Sequence, residues 1–366
     1  MRGKFNKVIV GALALAMTST LLFGCSAKKD DKKSKPVYTK EEASSTKAMV
    51  IGDYDVYMDE LMVYAIQEIT LYGVTPEMLE KGEDTYKQQA LALARETKIL
   101  YDVALHNNVE LSDDDIAARD KLIENFKKAV PAEVFEKYGI SDEIIEKVFT
   151  ERTYVEKFEN DIKNSMGQDI TDDLTKAYKD YNFQNLYYMV FPTIEVDADG
   201  NPATNEDGTY KQASDEKKKE AEENAKKAAE EINSGKDCKE VAESYGITAY
   251  SSEMNGYVGA YSDEMNEALG NISAGQCTDI IDSELGYVII AVMDDHNEEL
   301  KENYIYSVAN DVLKDQYDSL RNDWLASIPV DVEKDMQGDA WEKFVMKDMS
   351  QMLSDAGIVQ GTGAPQ

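Results

Sequence analysis

Cysteine and histidine are nearly absent from this chain, which holds three cysteines and two histidines in 366 residues. The cysteines are Cys25, Cys238 and Cys277, and the histidines are His106 and His296. No group of them has metal-ligand spacing, so neither a structural zinc nor any other metal or cofactor is expected. Cys238 and Cys277 are read as structural free thiols; a disulfide between them stays open, because pairing depends on a geometry that sequence spacing does not give. Positive charge is short as well, with 39 Lys and Arg against 72 Asp and Glu, a net charge of −33. That balance removes the basic footprint that nucleic-acid binding requires, and the acid excess reads as a solvated surface that resists aggregation. No G-x-G-x-x-G, Walker or G-x-S-x-G pattern occurs and no internal repeat is evident, which sets aside dinucleotide chemistry and hydrolysis built on those motifs.

What is present begins at the N-terminus. Arg2, Lys4 and Lys7 precede an apolar run from Val8 to Phe23, followed by Gly24-Cys25. A positive start, a short apolar stretch and a small residue are the layout of a secretory signal peptide, and the run falls short of the roughly 20 residues a spanning helix needs. Leu22-Phe23-Gly24-Cys25 resembles the lipobox of bacterial lipoproteins, although Phe23 is larger than the usual residue there. The resemblance implies a signal over 1–24, a mature chain starting at Cys25, and attachment to the outer face of the cell membrane through an acylated thiol. Two acyl chains on Cys25 would suffice for stable anchoring. Residues 25–47, rich in Lys, Ser, Asp and Thr, read as a flexible tether, whose lysines can lean on anionic lipid.

From Ala48 to Tyr57 the pattern predicts a short extended segment turning at Gly52-Asp53. Helical spacing follows from Met58, with Leu61, Tyr64, Ala65, Glu68 and Ile69 on one face, and continues in helices near 83–107, 112–128, 131–138, 141–165 and 171–181. At Leu186-Tyr187-Tyr188-Met189-Val190-Phe191 a compact apolar and aromatic run favours a buried strand. The acidic stretch 197–208 is a polar loop; its likeness to a calcium loop fails at Pro202, where an EF-hand needs glycine. Glu220 to Ser234 predicts a helix with Ala221, Ala225, Ala228 and Ile232 inward, stopped at Gly235. A short helix through Cys238, Val241 and Ala242, a glycine-rich segment over 250–261 and a strand over 285–293 complete a small α+β module. A long helix from Glu298 to Ala326 then needs a partner for its apolar stripe, found in the N-terminal helices, and a last helix covers Trp341 to Leu353 before a frayed tail.

This order of elements resembles the PrsA and SurA group of extracytoplasmic foldases. Val50-Ile51-Gly52 before the helix at Met58 is similar to that group's opening "V-x-G" strand. The parvulin resemblance runs from about 183 to 295: Tyr188-Met189-Val190-Phe191 stands where the family has "H-I-L-V", and Gly235-Lys236-Asp237-Cys238 where it has "G-x-D-F". Asn255-Gly256-Tyr257-Val258-Gly259 stands at "G-G-D-L-G", Gly275-Gln276-Cys277-Thr278 at "G-E-x-S", and Gly286-Tyr287-Val288-Ile289-Ile290 at "G-Y-H-I-I".

The resemblance implies an α+β protein: a helical chaperone-type domain, similar to the SurA N-terminal domain, with an inserted parvulin-like domain. Its segments are 48–181 for the first helical part, 182–297 for the parvulin-like domain, 298–330 for the returning helix, and 331–366 for the C-terminal helix and tail. It also implies peptidyl-prolyl isomerase chemistry at positions held here by Tyr188, Tyr257, Met265, Leu269 and Val288. The family's two inward histidines fall on Tyr188 and Val288, and its acidic or cysteine position on Tyr257. Isomerisation needs no nucleophile, only tighter binding of the twisted amide than of the planar one across a barrier of roughly 18–20 kcal/mol. An apolar pocket supplies part of that, but with these substitutions little or no isomerase activity is expected. The partners implied are unfolded or partly folded secreted polypeptides and the lipid membrane. The alternative is a non-catalytic envelope lipoprotein, a scaffold or a solute-binding protein, which would need a two-lobed cleft and a longer alternation of strands and helices.

Overall fold

The computed structural model describes residues 37–196, 201–328 and 339–359, and the chain divides into two compact units. Residues up to 166 and those from 314 onward form one; residues 167–313 form the other and are an insertion in it. The signal segment, Cys25 and the first part of the expected tether lie outside the described residues, as do 197–200 of the acidic loop.

In the first unit, α1 (Lys40–Ser45) already corrects the tether reading. Thr39 and Glu42 close a reciprocal capping box, Tyr38 and Ala43 are buried, and the Val37 amide donates to the Lys137 carbonyl at 2.9 Å. Lysine-rich composition suggested disorder up to residue 47, but Val37, Tyr38 and Ala43 bury enough apolar surface to fold the stretch from 37. The hairpin of β1 (Lys47–Ile51) and β2 (Tyr54–Tyr57) turns at Gly52-Asp53, as the sequence predicts.

Next come α2 (Met58–Tyr72), α3 (Pro76–His106), α4 (Asp113–Ala129), α5 (Ala132–Tyr138) and α6 (Asp142–Ala177). The spacing of α2 suggests one apolar face, yet every residue from Met58 to Ile69 is buried, including Asp59, Glu60, Gln67 and Glu68. An unpaired charge inside such a helix is costly. Glu60 avoids that cost by meeting Lys98 of α3 at 2.6 Å and Lys147 of α6 at 2.8 Å, and Lys98 also meets Glu151 of α6; the Gln67 side chain is buried without a partner among the described residues. Helix α3 starts at Pro76, ahead of the predicted 83, because Thr75 caps it and Pro76 takes a first-turn position; the backbone departs from helical angles at Gly82. Helix α6 is continuous where the sequence suggested a break near Gly167.

Helix α4 gives a direct test of local sequence logic. Ser112 accepts from the Asp115 amide, while the Asp115 carboxylate accepts from the Ser112 amide at 2.8 Å and from its hydroxyl. These bonds hold Asp115 below the ordinary aspartate value of 3.8. Replacing Ser112 by Ala should cost about 1 kcal/mol at pH 7. Because the folded carboxyl is depressed, its stabilisation is present above 3.8 and is lost as pH falls through the lowered value. The difference between wild type and Ser112→Ala in urea titrations should therefore narrow in acid, leaving the part due to the bond from the Asp115 amide to the Ser112 hydroxyl; a constant difference between pH 7 and pH 3 would remove the Asp115 carboxylate from the account.

In the inserted unit, β3 (Phe183–Pro192), α7 (Asp215–Asn233), α8 (Cys238–Ser244), β4 (Ser251–Tyr257), α9 (Asp263–Leu269), β5 (Ile281–Asp282) and β6 (Gly286–Asp294) lead into α10 (Glu298–Ser327). The four strands form an antiparallel sheet in the order β4-β3-β6-β5. Strand β4 is absent from the sequence reading, which saw only a glycine-rich segment: its Ser, Glu and Asn lack β-propensity, and an edge position tolerates them. On one face, Met189, Phe191, Ile289 and Ala291 pack beneath Ala225, Ala228 and Ile232 of α7 and Val241 of α8. Cys238 and Cys277 sit in this layer as buried free thiols. Gly286 is required where β6 starts, since a Cβ there would stand 2.1 Å from the Phe191 carbonyl oxygen.

After α10 the first unit is completed by α11 (Asp339–Lys343) and α12 (Met346–Asp355). The sequence predicts one helix here; the backbone leaves the helix at Phe344 and Val345, and both Phe344 and Met346 are buried.

Candidate functional site

The second face of the sheet gathers four of the five residues that the parvulin resemblance implies. Strand geometry decides which. Tyr188 stands opposite Ile290 and Val190 opposite Val288, and side chains two apart share a face. Tyr188 and Val288 therefore project together with Leu186, Val190, Ile290 and Val292. Ser262 caps α9 by accepting from the Met265 amide, and α9 lays Met265 and Leu269 over that layer. Leu269 and Val288 are buried, whereas Tyr188 and Met265 are partly accessible.

Tyr257 does not join them. Met254 packs into this face, and Tyr257, an odd number of residues further along β4, points to the other side. There its ring meets Phe183 at 4.9 Å, Tyr181 at 5.3 Å, Tyr178 at 5.4 Å and Tyr304 at 5.7 Å. Hydrogen bonding with Tyr178 is the main cause that raises the Tyr257 phenol above its ordinary value, so this ring belongs to an aromatic packing cluster.

Sequence reasoning missed Met254, Val258, Tyr261 and Ile272, which also line the face. Tyr261 is the most informative. It lies against Gly256, where an added Cβ would come within 2.3 Å of its hydroxyl oxygen. That oxygen is buried without a hydrogen-bond partner among the described residues, and burial pushes the phenol up to about 12. The Gln184 Oε1 is buried and unpartnered too. Glycine two residues after Met254 is the only sequence trace of this contact.

Chemically the face is an apolar floor and wall with phenols on it. Burial raises the pKa of Tyr188 as it does that of Tyr261, so both hydroxyls are neutral at physiological pH. The histidines lie elsewhere: His106 ends α3, and His296 follows β6, where it meets Asp295 at 3.0 Å. Among the described residues no group of three or more His, Cys, Asp or Glu is placed to hold a metal ion, and no helix is long and apolar enough to cross a membrane. The face can bind an extended apolar segment and desolvate its amides, and burial holds its phenols Tyr188 and Tyr261 above the range where general acid–base catalysis works.

Residues 204–294 match the rotamase family model, described as a PPIC-type PPIase domain. No curated protein sequence matches the chain. Among solved structures, the peptidylprolyl isomerase PrsA of Bacillus anthracis is similar at 19% identity over 63% of this chain and 93% of its own, with a TM-score of 0.21. The foldase protein PrsA of Lactococcus lactis shares 14% identity over 85% and 99%, with a TM-score of 0.31. A SurA-like chaperone of Campylobacter jejuni shares 11% over 78% and 99%, with a TM-score of 0.26. The matched segment runs from the acidic hairpin through β6 and holds Tyr257, Met265, Leu269 and Val288, so this part of the inserted α+β unit is similar to a peptidyl-prolyl isomerase domain of the PPIC type.

Proposed function

We propose that this chain is a lipid-anchored extracytoplasmic foldase whose parvulin-type domain holds non-native polypeptide and has lost most or all of its isomerase activity. The observation that carries this reading is the composition of the second sheet face. Where the family resemblance expects histidines stand a neutral phenol, Tyr188, and a buried aliphatic, Val288. An apolar face of that kind retains affinity for extended chains but lacks the groups that would favour the twisted amide. The anchor is Cys25, and the secretion signal before it carries the chain across the membrane. Helical packing around α2 and α3 supplies the rest of a chaperone body, with non-native secreted proteins as clients.

The test uses the chain from Ser26 onward. Cis to trans conversion of a short X-Pro peptide, followed without a coupling protease, is expected to proceed at the uncatalysed rate, while aggregation of chemically unfolded clients is suppressed at stoichiometric concentration. Isomerisation accelerated by wild type and reduced in Tyr188→Phe or Met265→Ala would make this an active parvulin with a rebuilt centre. Unaffected aggregation of several clients would sink the holdase reading. For the anchor, Cys25→Ala should move the full-length protein from the membrane to the soluble fraction.

A further inference from the structure

The corner between α2 and α3 exposes three large apolar side chains next to one another in sequence or across the turn: Leu71 at 46%, Tyr72 at 63% and Met78 at 40% accessibility. Scattered exposed apolar residues are ordinary, but here they accompany a groove. It has a volume of about 440 Å³ and is lined by Glu68, Tyr72, Met78, Tyr86, Leu93 and Glu96, all within the helical unit. Glu96 is engaged, its carboxylate 2.8 Å from Arg321. Glu68 is not. Only 4% of its surface is accessible, and it has no hydrogen bond or ion pair among the described residues. Burial alone raises its pKa above the ordinary glutamate value, with no neighbouring cation or donor pulling it down.

A carboxylate enclosed in this way, without a partner, is unfavourable, and a cation that enters the groove relieves it. The walls specify what accompanies the cation. Tyr72, Tyr86, Met78 and Leu93 offer apolar and aromatic surface, along which a lysine or arginine stem can lie while its charged end reaches the acid. Methionine and tyrosine adapt to varied neighbours, which suits a site without a fixed sequence requirement. The net charge of −33 favours the approach of cationic segments.

We propose that this groove takes a polypeptide segment bearing a lysine or arginine between apolar residues, with the cation on Glu68 and the apolar neighbours on Tyr72, Met78 and Leu93. The proposal rests on the polypeptide-binding reading given above and adds a second binding place, outside the parvulin domain, with a chemical preference.

Fluorescence anisotropy with the chain from Ser26 onward tests it, using a dye-labelled extended peptide with a Leu-Lys-Phe core and the same peptide with norleucine in place of lysine. The unaltered chain should bind the lysine peptide at least about tenfold more tightly, the scale of one charge-assisted hydrogen bond. Glu68→Gln, close in shape, should abolish that preference and still bind the norleucine peptide. Tyr72→Ser, at an exposed position that the fold does not need, should weaken both. Equal affinities for the two peptides, or a preference that survives Glu68→Gln, would overturn the assignment of the groove while leaving client holding intact. Suppression of client aggregation, measured on the same preparation, reports on that second reading separately. The comparison of the two peptides on the unaltered chain decides the matter even if a variant folds poorly.

Discussion

Replacing Lys98 by methionine should destabilise the helical unit by about 3–5 kcal/mol, although methionine is similar in volume and more apolar. Lys98 is fully buried, and its ammonium lies 2.6 Å from Glu60 and 2.6 Å from Glu151. Removing it leaves two enclosed carboxylates with Lys147, 2.8 Å from Glu60, as the neighbouring cation. Enclosing charge is itself costly here: burial is the largest influence on Glu151 and raises its pKa above 4.5, with Lys98 acting in the opposite direction. That ordering separates two experiments which look alike. Deleting one member strands its partner, whereas deleting a balanced pair removes the desolvation cost together with the attraction. Lys98→Met combined with Glu151→Leu leaves the Glu60–Lys147 pair and should recover most of the loss. Urea unfolding of the two single variants and the double variant gives the coupling energy directly. Additive losses would show that the two residues act independently, and would dissolve the network as an explanation of why α2, α3 and α6 keep charges at their contact.

None of that network was legible in the sequence. Pattern reading assigns charged residues to the solvent side, and Glu60, Lys87, Lys98 and Glu151 look like the outer face of amphipathic helices until their helices are seen to be enclosed. What could be read was whatever period and composition fix locally. The runs at 186–191 and 285–293 became the two central strands, and the alanine stripe of α7 became the layer over them. The landmark glycines fell at turns and close approaches, Gly286 above all. The candidate site was half legible for a related reason. Tyr188 and Val288 lie on strands whose apolar alternation fixes the face, but Tyr257 lies on a polar edge strand whose register the sequence does not carry. A resemblance that aligns Tyr257 with a site position says nothing about a side chain turned to the other side of the sheet. Tyr261 was missed because its contact with Gly256 comes from the path of the chain between β4 and α9, which no periodicity encodes.

Truncation after Ile328 should abolish the cooperative unfolding transition of the helical unit, an effect larger than that of any single substitution in it. The side chains of the last two helices pack into the core of this unit. Phe344, Met346, Met349 and Leu353 have no accessible surface, and Val359 is nearly enclosed. All belong to the same core as Leu61, Ile66 and Leu91. Polar groups fix the register of that docking. The Ser350 hydroxyl donates to the Val74 carbonyl at 2.6 Å, the Lys347 amide donates to Glu83 at 2.9 Å, and the Lys87 ammonium donates to the Trp341 carbonyl at 3.3 Å while lying 4.9 Å from the indole centroid. Without the segment, the Val74 carbonyl and the enclosed Lys87 lose these partners, and α2 and α3 present apolar surface to water. Phe344→Ala alone should cost about 3–5 kcal/mol and Met349→Ala about 2–5 kcal/mol, the range for large side chains removed from a packed core. Far-UV circular dichroism against urea distinguishes the cases: the point variants should shift the midpoint, and the truncated chain should lose the transition and aggregate. A truncated chain that unfolds at the wild-type midpoint would mean that the C-terminal helices only cover a core already complete without them. The expected outcome makes residues 339–359 part of the core that α2 and α3 need in order to stay folded.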